Sequence, residues 1–153
     1  MSKFSQYEQQ LKRVGITTGQ KSRLGVYFFL AASGRDEEIP HVARFNMAVM
    51  RQDLQRVVTS ISMIDKLHAR WGKSKLYWQK LEKRIVYGVD SIRAELCLIP
   101  NVGAVKSEEL INSGIITLND FVDPNKAYIV QAIMKSKTHA AIEVAKKLIP
   151  ELE

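Results

Sequence analysis

The stretch "AVMRQDLQRVVTSISMIDKLHARWG" (48–72) repeats apolar residues at steps of three and four, with no proline and no glycine before its end. That period belongs to one long amphipathic helix, expected over about 48–71 and ended by Gly72. Leu54, Val57, Val58, Ile61, Ile64, Leu67, His68 and Trp71 form its expected buried stripe. A helix of this length needs other helices to cover it, and no segment alternates over five residues as a half-buried strand would. The fold class is therefore all-α.

Shorter helices are expected at 4–13, 20–34 (closed near Gly34), just after Pro40, 76–87, 89–98, 104–113, 117–122, 125–135 and 138–148. With 153 residues, the chain divides most simply into a helical bundle over 1–95 and a small domain over 96–153. The run Asp36-Glu37-Glu38 reads as charge at a helix start, compensating the macrodipole. A single cysteine, Cys97, excludes a disulfide framework, and its setting in "AELCLI" is that of a packed thiol. No apolar run approaches the ~20 residues of a membrane span, and the start lacks the apolar stretch of a secretory signal. A cytoplasmic or nucleoid-associated setting fits.

The net charge of +7 is unevenly distributed. Residues 1–100 hold 17 Lys/Arg against 9 Asp/Glu, whereas 101–153 hold 6 against 7. The run "KLHARWGKSKLYWQKLEKR" (66–84) has seven basic residues and one acid, and implies an anionic partner, nucleic acid first. A second, basic and hydroxylic face of the long helix carries Arg56, Met63, Lys66 and Arg70. Arg56 and Met63 stand about 10 Å apart at the ~1.5 Å rise per residue, which suits two contacts along one strand. Lys73, Lys75, Lys80 and Arg84 extend the basic surface, and interleaved Trp71, Tyr77 and Trp78 offer base-stacking platforms or interhelical packing.

In "LIPNVGAVKSEEL" a helix stops at Pro100 and another starts within four residues. Gly103 is expected to supply an unusual backbone angle or a close approach. The next helix exposes its first N–H groups, with Lys106 in its first turn. The turn is either interhelical packing or a phosphate socket formed by Val102, Gly103 and Lys106.

The hydrophobic-Pro-x-hydrophobic-Gly pattern followed by "INSGIITLNDFV" resembles a helix-hairpin-helix motif. More widely, "LEKRIVYGVDSIRAELCLIPNVGAVKSEELINSGIITLNDFV" resembles the C-terminal region of HelQ-type superfamily-two DNA helicases. "IPHVARFNMAVMRQDLQRVVTSISMIDKL" resembles the start of their ratchet domain. The likeness runs over about 20–148 and implies a ratchet domain followed by a terminal helix-hairpin-helix domain. It places Arg56 where that family has a base-stacking Arg, and Met63 where it has a stacking Trp. A Met forgoes aromatic stacking, worth ~1–3 kcal/mol per base. Gly103 and Lys106 match the hairpin, but Ala104, Glu108 and Glu109 stand where basic residues are common, which implies weaker phosphate binding.

No "GxxxxGK[ST]" loop or acidic Mg-binding motif occurs, so no motor is expected in this stretch. His41, His68 and His139 are too scattered for a metal site, and no nucleophile with an activating base can be nominated. The expectation is a non-enzymatic module without cofactor that binds single-stranded or forked DNA independently of sequence. The alternative is a protein-interaction module completing or inhibiting a partner, such as a separate helicase motor subunit.

Overall fold

The computed structural model describes residues 20–152, together with Gln9, Lys12 and Arg13. The helix expected at 4–13 otherwise lies outside the described residues. Among those described, nine α-helices are joined by turns and short 3-10 segments, with no strand. They are α1 (Gln20–Ala31), α2 (His41–Arg44), α3 (Met47–His68), α4 (Lys75–Tyr87), α5 (Ser91–Leu96), α6 (Ala104–Asn112), α7 (Leu118–Val122), α8 (Ala127–Met134) and α9 (Thr138–Leu148). The all-α expectation holds. No helix among the described residues is long and apolar enough to cross a membrane.

Each end of the chain closes around its own apolar cluster. Val26, Leu30, Ala31, Ile39 and Met47 are buried where α1 meets the start of α3. Ala32, Val58 and Ile85, backed by Leu54, Trp78 and Leu81, seal α3 against α4. The largest cluster joins Leu96, Ile99, Val102, Leu110, Ile115, Leu118 and Phe121 to Val130, Met134, Ala141 and Ala145. Polar ties link the clusters. Arg84 Nε donates to the Ala32 carbonyl at 3.0 Å, while Glu95 accepts from the Leu118 amide at 3.0 Å and pairs with Lys80 at 3.7 Å.

The buried face of α3 differs from the expected stripe. Met47, Val58 and Asp65 are buried, with Leu54 and Ile61 partly so, while Val57, Ile64, Leu67, His68 and Trp71 are exposed. Leu67 keeps 76% of its surface in solvent and Val58 6%. The cause is narrow coverage. Two apolar stripes run side by side along α3, and α4 covers only one of them.

The helix also ends at His68, three residues before the expected stop. Ala69 takes the left-handed conformation (φ 46°), and its N–H returns to the Asp65 carbonyl at 2.7 Å. The acidic run likewise does more than cap. Asp36 accepts both hydrogen bonds from Arg51 Nη2 at 2.7 and 2.8 Å, and Glu38 pairs with Arg35 at 2.5 Å. Gly34 (φ 69°) stands beyond the end of α1, where the Arg35 amide reaches back to the Leu30 carbonyl.

Candidate nucleic-acid interface

The basic surface is organised by a buried acid. Asp65 Oδ1 accepts from the amides of Trp71 (2.6 Å) and Gly72 (3.0 Å), and Oδ2 accepts from the Lys73 amide (3.0 Å) and Trp78 Nε1 (2.9 Å). Burial pushes its carboxyl up, but the Trp71, Lys73 and Gly72 amides and the Trp78 indole outweigh this and hold it below the usual value. One side chain thereby folds the 69–74 turn and fixes Trp78 between α3 and α4. Sequence reading missed Asp65. Its signal was an acid at a helical step from Val58, just ahead of "ARWGKSK".

Around this turn the basic residues gather. Arg56, Met63, Lys66 and Arg70 are exposed on and just beyond α3, and Lys73 and Lys75 are exposed at the start of α4. Arg56 keeps 79% of its side chain in solvent, held loosely by Asp53 at 3.3 Å, an exposed pair that contributes little. Arg70 lies 5.8 Å from the centroid of Trp71, and Lys73 lies 5.2 Å from that of Tyr77. Trp71 and Tyr77 meet Trp78 edge-on at 6.1 and 5.1 Å. Trp78 is therefore the packing aromatic of the three, and the other two are about half exposed. Ser74 caps α4 by accepting from the Tyr77 amide at 3.1 Å.

Lys80 and Arg84 do not join this group. With Tyr77, Leu81 and Ser91 they line a separate ≈ 300 Å³ depression beside Glu151. Lys66, Lys73 and Lys75 instead border a ≈ 460 Å³ groove between α3 and α4, with Met63, Trp78 and Glu82.

The turn between α5 and α6 departs from expectation at two positions. Gly103 is extended (φ −110°, ψ −161°), and a side chain there would meet only the Tyr87 ring at an ordinary 3.5 Å. The left-handed residue is Asn101 (φ 67°), a type that tolerates this conformation. Val102 is buried and its amide donates to the Ile99 carbonyl at 3.1 Å, so it offers nothing to an external phosphate. Gly103 caps α6 without a side-chain acceptor, and no acceptor among the described residues serves the amides of Ala104, Val105 and Lys106. Glu108 and Glu109 are exposed on the same helix, Glu108 lying 3.9 Å from Arg93. Gly114 (φ 86°) closes α6, and Leu118 and Phe121 are fully buried behind it.

Cys97 is a free, buried thiol whose pKa burial raises, the state of an unreactive core residue. Among the described residues no group of three His, Cys, Asp or Glu side chains is placed to hold a metal.

Comparison with known proteins gives one informative likeness. Over 118 residues, 76% of this chain, the sequence is 28% identical to the ATP-dependent DNA helicase Hel308 of Methanocaldococcus jannaschii. That match spans 9% of the helicase's own length. The chain thus contains a region similar to a segment of a DNA helicase. No family model matches the chain, and no solved structure does.

Proposed function

We propose that this chain is a non-catalytic DNA-binding module, with the ratchet and helix-hairpin-helix organisation of a HelQ-type helicase tail over 1–95 and 96–153. It grips single-stranded or forked DNA through backbone and base stacking, without reading sequence. The observation that carries this reading is the exposure of Arg56, Met63, Lys66 and Arg70 on and just beyond one helix, with Lys73 and Lys75 exposed after it and Met63, Lys66, Lys73 and Lys75 bordering one groove. Five of these residues carry positive charge for the strand's phosphates, and Met63 supplies an apolar seat for a base. The α6 N-terminus and Lys106 act as a secondary phosphate contact, weakened by Glu108 and Glu109. Likeness to a DNA helicase segment supports nucleic acid over other anions.

Fluorescence anisotropy with a labelled single-stranded 20-mer at low salt tests this. Arg56→Ala and Lys66→Ala are each expected to weaken binding several-fold, and Lys106→Ala less. Equal affinity in all three variants and the unaltered chain would remove the proposed surface.

A second reading is favoured by the apolar residues on the outer face of α3. Val49, Val57, Ile64 and Leu67 are all exposed, which suits a protein partner such as a helicase motor or another DNA-processing protein. Absence of single-strand binding at low salt would favour this reading.

A further inference from the structure

The groove between α3 and α4 has a chemical polarity along its length. Its apolar lining is Val58, Met63 and Trp78, with the Trp78 indole hydrogen-bonded to Asp65. One end is cationic: Lys66, Lys73 and Lys75 border it, and none makes an ion pair with a described residue. At the other end stand Gln79 and Glu82. Glu82 Oε1 accepts from Gln55 Nε2 at 2.7 Å, which holds the carboxylate in place while Oε2 makes no hydrogen bond to a described residue. The hydroxyls of Thr59 and Ser62 on the same wall donate to the Gln55 and Thr59 carbonyls at 3.0 and 2.8 Å. Their oxygens can therefore only accept from anything in the groove.

Charge at one end, an apolar lining and fixed acceptors at the other match the three parts of one nucleotide. The ≈ 460 Å³ volume lies within the ~300–1,000 Å³ of small-ligand sites. We infer that the groove takes a single unpaired nucleotide of a bound strand, with its phosphate on the lysines, its base against Met63 and Trp78, and its edge at Glu82. This inference rests on the single-strand reading above but departs from its sequence independence at this one position, where it sets a base preference. A carboxylate accepts from the exocyclic amino group of cytosine, adenine or guanine. Thymine has none, and its carbonyl oxygens flank its one N–H and repel the carboxylate. Gln79, which also lines the groove, carries an amide donor for a neighbouring ring acceptor. Amino-bearing bases should therefore bind more tightly than thymine.

The test compares labelled dC and dT 12-mers at pH 7.5 by anisotropy, with the full chain and with Glu82→Gln. The expected result is about a fivefold to tenfold preference for dC, the lower end of what one base-edge contact gives. Glu82→Gln should abolish the preference, with dT affinity rising as the repulsion from the carboxylate is removed. In a Trp71→Phe background, saturating dC 12-mer should quench the Trp78 fluorescence. Equal affinity for dC and dT, a preference that survives Glu82→Gln, or binding without quenching would each overturn the slot while leaving the single-strand reading intact. Failure to bind either oligomer at low salt would overturn both.

Discussion

Asp65 shows how one side chain can set the geometry of a surface it does not belong to. Four donors converge on its two oxygens, three of them from the turn that carries Lys73. A carboxylate is needed because an amide replacement would turn one acceptor into a donor facing donors. Asp65→Asn is therefore expected to lower the melting temperature and to shift Trp fluorescence to the red as the Trp78 indole loses its partner. Weaker binding of single-stranded DNA should follow, because Lys73 and Lys75 lose their common frame. A variant with native melting temperature and emission would show that the turn closes without the acid. The pH dependence follows in sign. The folded-state pKa of Asp65 is depressed, so its contribution is complete above the ordinary carboxylate range and is lost as pH falls through the lowered value.

Among the elements, the C-terminal helices rely on caps as well as burial. Thr117 and Asp120 form a capping box at α7: Thr117 Oγ1 accepts from the Asp120 amide at 3.1 Å, and Asp120 Oδ2 accepts from the Thr117 amide at 3.0 Å. Thr117→Ala should cost about 1 kcal/mol, read as a lower urea midpoint with an unchanged slope. The Lys126 ammonium, 2.5 Å away, is the chief cause that holds the Asp120 carboxyl down to about 2, with the Ile116 and Thr117 amides assisting against partial burial. Stability from this group is present above the ordinary value of 3.8 and is lost as pH falls from there through about 2. Lys126→Met should flatten that acid limb in a pH series of thermal melts, by about 1 kcal/mol once solvent screening of a partly exposed pair is allowed for. Legibility in the sequence followed element length and partner number. The α3 period and the helix expected at 104–113 were readable, because local pattern and tertiary burial agree there. Which stripe of α3 is covered was not readable, since period alone cannot say where α4 lies. Asn101 was overlooked because Gly103, two residues on, is the commoner left-handed residue. Of the basic candidates, Lys66, Lys73 and Lys75 border one groove. Lys80 and Arg84 lie apart from it because tertiary contacts with Glu95 and Ala32 engage them, and Val102 because it is buried in the C-terminal core cluster.

Across the whole molecule, charge separates more sharply than structure does. Residues 1–100 carry +8 and 101–153 carry −1, although the described residues of both are predominantly helical. If both gripped a strand equally, lysines at either end would contribute alike to its salt dependence. The exposed cations on α3 and the turn after it predict otherwise. Each phosphate neutralised on single-stranded DNA adds about −0.7 to the slope of log affinity against log salt. Contacts from Arg56, Lys66, Arg70, Lys73 and Lys75 then give a slope near −3.5, or roughly a 130-fold loss between 50 and 200 mM salt. Lys66→Ala should reduce the magnitude of that slope by about 0.7. Lys106→Ala should move it much less, because Glu108 and Glu109 on the same helix already oppose a phosphate there. Full titrations at four salt concentrations separate these outcomes. A larger slope change for Lys106 than for Lys66 would transfer the main grip to α6. A flat salt dependence would leave no role for counterion release on any part of this surface.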